Sequence, residues 1–483
     1  MKHLLLRLCI LLIAGSHVFA ARAAETNRLN VLFIISDDLR AELGSYGSKL
    51  VKTPNLDKLA SSGVRFDRAY CQFPLCNPSR ASMLTGRQPS TTGVIGNRID
   101  FRDQHPDFVT LPELFKQNGW LSVRAGKIFH GGLDDHPSWS ENPEPRVNFN
   151  EPGARLVDEA EVKAIALASG TNSLAERRAQ HSDRWVVLDG DGESHGDYKT
   201  ATRTIELLRR FKESKEPFFI GCGFVKPHSP PAAPQKFYDL YDVEKIELPP
   251  DFAPRPTVPE GFPRAAIRPR NADLFMGRDA SPEEAKQMIR AYAASTSWMD
   301  WNVGRVLDEL DRLGLRTNTL IVFWGDHGYQ LGEKGKWSKA GSLFEQGTRL
   351  PLIFALPNDT KPKVVRAIVQ SVDIYPTVAE LCGLQAKGVD GRSFASLLRN
   401  PEAEWNHPAF SVWSENGRTL HGVAVRTDKY RYAEFFEAGG GAMLFDEAAD
   451  PHEMKNLADD PKLEAVRAEH SKLIKEYLSR YQR

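Results

Sequence analysis

Beyond its first two dozen residues this chain of 483 has only four cysteines, Cys71, Cys76, Cys222 and Cys382. So few thiols exclude a disulfide scaffold, and no Cys-x-x-Cys or Cys/His cluster offers zinc a tetrahedral set. Net charge is missing as well: Lys+Arg and Asp+Glu each total 63. Without a global field to draw nucleic acid or an anionic membrane, neither is an expected partner, and any recognition of anions must be local. Internal repeats and low-complexity tracts are absent too, which excludes solenoids and structureless linkers.

What is present begins with an exceptional N-terminus. Lys2, His3 and Arg7 precede an apolar run from Leu8 to Ala14, and Ala21-Arg22-Ala23 follows. A basic stretch, a short apolar stretch and an Ala-x-Ala pattern read as a cleavable export signal. The run is short for a membrane span of about 20 residues, and Cys9 sits too early for lipid attachment. Residues 1–24 are therefore set aside as a leader. The expected location is periplasmic or secreted, with no stable membrane insertion after cleavage.

The apolar run Asn30–Ser36 has the profile of a buried parallel strand, and similar runs recur at Pro217–Phe224, Thr319–Trp324 and Pro351–Leu356. Helical patterns lie between them, at 55–62, 111–118, 198–212 and 281–313. The alternation predicts an α/β fold with a large, mostly parallel central sheet flanked by helices. The Pro-rich stretch 227–269 is expected to be a long surface excursion. From about Pro401 the texture changes: Arg426–Tyr432 alternates, Met443–Phe445 leads to a turn at Asp450-Pro451, and a closing helix starts near Leu463. The expected division is a catalytic unit over 25–400 and a smaller C-terminal α+β subdomain with an antiparallel sheet over 401–483.

Polar residues follow the strands directly. Asp37-Asp38 succeed the first run, Lys226 and His228 the second, and Asp326-His327 the third. Ligands of open α/β sheets bind beyond the carboxyl ends of the strands, so three strands would deliver charge to one edge. Asp37, Asp38 and Asp326 are hard oxygen donors of the kind that Ca²⁺ or Mg²⁺ takes. An Asp-Asp pair alone often just caps a helix; joined to Asp326-His327-Gly328, a metal site is the better reading. Cys222 and Cys382 sit in apolar segments as small core residues, whereas Cys76 stands in a polar, Pro-containing stretch.

That stretch, Cys76-Asn77-Pro78-Ser79-Arg80-Ala81-Ser82-Met83-Leu84-Thr85-Gly86, resembles the signature of type I sulfatases. The resemblance implies an alkaline phosphatase-like fold and oxidation of Cys76 to formylglycine by a maturation enzyme that reads Cys-x-Pro-x-Arg. An aldehyde hydrates to a geminal diol: one oxygen can bind metal and attack sulfur, and the other can later expel sulfate. Pro78 suits the first turn of a helix, which would place the side chain at a helix N-terminus, favourable to anionic oxygens. By the same resemblance Arg80 holds the hydrate. The resemblance also implies that Asp37, Asp38, Asp326, His327 and the oxygen of modified Cys76 bind the metal, Ca²⁺ in preference to Mg²⁺. His327 stands where many sulfatases carry Asn.

Gly126-Lys127-Ile128-Phe129-His130 is similar to the family's Gly-Lys-x-x-His element, Lys226-Pro227-His228 to Lys-Pro-His, and Trp337-Ser338-Lys339 to Trp-x-Lys. Lys127 and Lys339 would then contact sulfate, His130 would assist its release, and His228 would protonate the leaving alcohol. Lys226 reads as structural. Lone lysines and loop histidines are commonplace; their order beside the metal ligands gives them weight. Within the family the chain looks like iduronate-2-sulfatase and its bacterial relatives, which implies a sulfated saccharide as substrate, such as a uronate 2-sulfate. It departs from them over 140–195, in lacking the paired cysteines of animal members, and at Lys334, where relatives often carry His. A phosphate or phosphonate ester hydrolase of the same superfamily, or an inactive glycan-binding relative, is the alternative reading.

Overall fold

The computed structural model describes residues 28–141, 154–156, 183–436 and 439–481. The leader and most of the divergent stretch 140–195 lie outside these residues. The first strands in the chain are β1 (Asn30–Asp37), β2 (Val64–Tyr70), β3 (Leu121–Gly126) and β4 (Ala154–Leu156). They are followed by β5 (Val186–Leu188), β6 (Phe218–Pro227), β7 (Ala232–Pro234), β8 (Thr319–Gly325), β9 (Arg349–Ala355) and β10 (Lys363–Gln370). The C-terminal strands are β11 (Ala409–Trp413), β12 (Gly422–Arg426), β13 (Tyr430–Phe435) and β14 (Gly441–Asp446).

Seven strands form the central sheet in the order β10-β2-β9-β8-β1-β6-β3. Its neighbours pair in parallel, except that β9 runs against both β2 and β8. The run Pro351–Leu356 thus forms a buried strand, as expected, but an antiparallel one. An apolar run records burial on both faces and says nothing of direction. The chain leaves β8 and re-enters β9 at the same sheet edge without a crossover, which fixes an antiparallel pairing.

All eight residues of β1 are buried, and their side chains alternate between two cores. Val31, Phe33 and Ile35 join Trp324 and the helices 76–85, 111–117 and 374–381 on one face. Leu32 and Ile34 join Ile321, Phe323 and the helices 54–61, 196–214 and 282–312 on the other. The result is the three-layered, mostly parallel α/β architecture that the alternating pattern predicts. The longest helix, Pro282–Arg312, starts at a capping box. The Ser281 hydroxyl accepts the Glu284 N–H at 3.2 Å, the Glu284 carboxylate accepts the Ser281 N–H at 3.0 Å, and Pro282 opens the first turn.

The C-terminal strands form a four-stranded antiparallel sheet, β11-β12-β13-β14, against which the helix Glu464–Tyr481 packs. Within it residues 427–429 are the turn between β12 and β13 rather than strand, closed by the Thr427 N–H on the Tyr430 carbonyl at 2.9 Å. The stretch 227–269 is likewise more than a surface excursion. Ala232, Ala233, Phe237, Tyr238, Tyr241, Ile246, Phe262 and Ile267 are buried, so its prolines shape a segment that packs.

Because β1, β2, β3, β6 and β8 run the same way, their carboxyl ends share one edge, with β8, β1 and β6 adjacent at its centre. At β3 and β6 that edge requires glycine. A Cβ on Gly126, which has φ +72°, would stand 2.2 Å from the Gly223 carbonyl oxygen, and one on Gly223 would stand 1.9 Å from that of Lys127. Such approaches leave no room for a side chain, so the two glycines let Lys127 cross directly over β6.

Candidate active site

Asp37 is the last residue of β1, and Asp38 turns the chain with a left-handed φ of 61°. Asp326 follows β8, its N–H donating to the Ser36 carbonyl at 3.1 Å. The backbone pairing of two central strands therefore brings these carboxylates together. Cys76 opens the helix Cys76–Thr85 just beyond β2 and is 1% exposed. One oxygen from each of Asp37 and Asp38, the Cys76 sulfur and a ring nitrogen of His327 all lie within 4.8 Å of one another. Asp326 is beside this group: its Oδ1 accepts the Asp38 N–H at 3.1 Å and lies 3.6 Å from His327 Nε2.

Cations close around the carboxylates. Lys127 Nζ donates to Asp37, and Lys339 Nζ donates to Asp38 Oδ2 at 2.8 Å and lies 3.4 Å from Asp273. Arg80 is wholly buried; its Nε donates to Asp326 Oδ2 at 2.9 Å. Its Nη1 donates to the carbonyls of Lys127 and Ile128 at 2.7 and 2.9 Å, and its Nη2 lies 3.7 Å from Asp37. The guanidinium fork thus ties β8, β1 and the segment after β3 into one unit.

The protonation pattern follows from these neighbours. Burial works against the Asp37 carboxylate, but Lys127 and Arg80 hold it well below the usual range. Burial and the adjacent Asp37 push Asp326 up to about 6. Against burial, Asp326, Cys76 and Asp38 raise the His327 imidazole to about 10. Burial and Asp37 oppose the Cys76 thiolate, yet Lys127, Lys339 and His327 outweigh them and lower the thiol.

His228 stands at the rim, half-buried, with Nε2 3.9 Å from Asp38 Oδ2 and Nδ1 2.7 Å from the Ser229 carbonyl. Lys226 turns away from the carboxylates: its Nζ donates to the carbonyls of His228 and Pro230 at 2.8 and 2.7 Å. Burial lowers its ammonium to about 8. His130 is half-buried on the segment that carries Lys127, its carbonyl accepting the Leu133 N–H at 3.0 Å.

Three supporting groups carry no motif. Asp197 accepts the N–H groups of Val225 and Lys226 at 2.9 and 2.8 Å and so fixes the end of β6. Glu333 pairs with Arg40 at 2.8 Å, joining the segment after β1 to the loop that leads to Lys339. Asp273 lies 3.4 Å from the Lys339 ammonium that also binds Asp38. None of the three sits in a recognisable motif, and only the fold reveals its partner.

Asp37 Oδ1 and Asp38 Oδ1 are buried and accept no hydrogen bond. A buried acceptor left without a hydrogen bond costs about 1–3 kcal/mol, and a divalent cation among oxygen donors relieves that cost. His327 suits such a site, since Nδ1 faces the Gly328 carbonyl at 2.9 Å and Nε2 faces the carboxylates. The donor set therefore fits a metal ion.

Fold and site define a class: an α/β protein with a buried carboxylate, thiol and cation cluster over the carboxyl edge of its sheet. The sulfatase family model matches residues 29–384, and a second, described as N-sulphoglucosamine sulphohydrolase, C-terminal, matches 332–480. The chain belongs to the sulfatase family and is a sulfuric ester hydrolase. It is similar to a sulfatase of Formosa agariphila, 34% identical over 464 residues that cover 92% of this chain and 86% of the relative. It is equally similar to iduronate 2-sulfatase of Mus musculus, 34% identical, with 93% of this chain and 95% of the relative covered. The solved phosphonate monoester hydrolase of Silicibacter pomeroyi shares the fold, with a TM-score of 0.74 at 23% identity over 94% of this chain and 96% of that one.

Proposed function

We propose that this sulfatase hydrolyses a sulfate ester of a saccharide, a uronate 2-sulfate among them, with Cys76 in its formylglycine form. Asp37, Asp38, Asp326 and His327, with the oxygen of residue 76, would hold Ca²⁺. The observation that carries this reading is the convergence of Asp37, Asp38, His327 and residue 76 within 4.8 Å, with one oxygen of each carboxylate accepting no hydrogen bond and buried cations around them. The likeness to iduronate 2-sulfatase over most of the chain supports the substrate class.

When bound, the calcium ion would polarise a sulfate oxygen, and the hydrated aldehyde would supply a hydroxyl nucleophile. The chain's own groups do the rest. Lys127 and Lys339, now paired with Asp37 and Asp38, would turn toward sulfate once a cation takes up the carboxylate charge. There they would stabilise negative charge growing on its oxygens. Arg80 keeps Asp326 and the Lys127 segment in register. His228, half-exposed at the rim, would donate a proton to the departing alcohol oxygen. His130 would move a proton as sulfate is released. The leader-like residues 1–24 support action in the periplasm or outside the cell, on sugars too polar to cross a membrane.

The test is a peptide mass measurement at position 76, paired with a screen for sulfate release from sulfated oligosaccharides. The reading requires an aldehyde at 76 in active preparations. Full activity of protein that carries only the unmodified thiol would overturn it.

A further inference from the structure

Asp38 occupies a left-handed backbone conformation, φ 61°, that residues with a Cβ seldom adopt. Just before it the pairing of β1 with β6 slips between Ser36 and Asp37. The sheet has therefore released Asp38, and its backbone needs other partners. Its N–H finds Asp326 Oδ1 at 3.1 Å. Its carbonyl accepts the Tyr292 hydroxyl proton at 2.6 Å, and the same hydroxyl oxygen accepts the Arg40 N–H at 3.0 Å. One phenol thus bridges residues 38 and 40 and closes the turn that aims the Asp38 carboxylate at Asp37, Cys76 and His327.

Tyr292 comes from the middle of the helix Pro282–Arg312 and is 3% exposed. Its ring lies 5.9 Å from that of Tyr329, 20° from parallel. The hydroxyl is held by a rigid element and is spent on backbone alone; it touches none of the side chains assigned to the chemistry.

We propose that Tyr292 is a positioning residue whose hydroxyl holds Asp38 in its strained conformation and thereby sets the affinity of the site for a divalent cation. This rests on the reading of the carboxylate cluster as a Ca²⁺ site. Groups that orient metal ligands change affinity by about 10- to 100-fold when removed, and Tyr292 acts on the ligand's backbone in the same manner.

The experiment measures Ca²⁺ binding to cation-stripped protein by isothermal titration calorimetry, for wild type, Tyr292→Phe and Tyr238→Phe. Tyr292→Phe keeps the ring and removes only the bridge. Tyr238→Phe is the control, a buried hydroxyl donating to the Val186 carbonyl at 2.8 Å. Calcium affinity is expected to fall about ten-fold or more in Tyr292→Phe and to stay at the wild-type value in Tyr238→Phe. The calcium-induced rise in melting temperature, read on the same three proteins, reports the affinity even where a variant is less stable. Equal affinities in all three proteins would overturn the role of Tyr292, as would equal losses in both variants. Wild-type protein that binds no calcium would instead overturn the metal-site reading, and the proposal with it.

Discussion

Arg80→Met in cation-free buffer should lower stability by about 5 kcal/mol. The guanidinium makes three short contacts in a site from which water is excluded, one to Asp326 and two to main-chain carbonyls. Breaking a buried ion pair costs about 3–5 kcal/mol, and each stranded carbonyl about 1–3 kcal/mol. Asp326 limits its share by taking up a proton, since burial and Asp37 already push its carboxyl up to about 6. The low end of each range gives about 5 kcal/mol in total, a large part of a typical folding stability of about 5–15 kcal/mol. Scaled at about 2 °C per kcal/mol for a large domain, the melting temperature should fall by about 10 °C. Arg80→Lys keeps the charge without the fork and should recover about half of that loss. Thermal unfolding followed by circular dichroism in EDTA reads the effect. A fall of less than about 3 °C for Arg80→Met would mean that the cluster is not organised around this guanidinium, and the reasoning would fail.

Further predictions follow from the same contacts. EDTA should abolish sulfate release and lower the melting temperature, and Ca²⁺ at about 1,000 times its dissociation constant should return about 4 kcal/mol; activity indifferent to chelation would refute the metal role. Gly223→Ala places a Cβ 1.9 Å from the Lys127 carbonyl oxygen; steady-state kinetics should show kcat reduced at least ten-fold, with about 1–3 kcal/mol lost from stability. Where the antiparallel sheet meets the catalytic core, Arg431 lies 3.2 Å from Glu447 and 3.1 Å from Glu453 and also binds Glu345. Burial and Glu345 push Glu447 up to about 9, so the folded state holds a proton that the unfolded state releases, and this stabilisation drains away as pH rises from about 5 to about 9. Glu447→Gln should flatten the fall in melting temperature over that range; parallel pH profiles for both proteins would contradict the assignment.

The catalytic edge was legible because its strands are buried on both faces. Asn30–Asp37 and Thr319–Gly325 lie at the centre of the sheet and read as unbroken apolar runs, so the aspartates after them stood out. Strands nearer the sheet's sides carry polar residues and show no such run: Val64–Tyr70 holds Arg65, Asp67 and Arg68, and Leu121–Gly126 holds Arg124. Arg124 satisfies its charge on Asp134, a partner no periodicity encodes. The direction of Arg349–Ala355 was hidden for a related reason, since it depends on how the chain returns and not on which side chains are buried. Among the site residues, Cys76, Lys127 and Lys339 were legible through motif spacing. Tyr292, Asp197 and Asp273 act across 254, 28 and 66 positions in the chain and became visible only once the fold had brought their partners close.

Sulfate release from a 2-sulfated uronate disaccharide, measured side by side for wild-type protein and Cys76→Ala, tests the central claim most directly. Turnover by the wild type and none by the variant, with calcium present in both, is the predicted result. Equal release by the two proteins would contradict it, because hydrolysis would then proceed without the side chain to which the nucleophile is assigned.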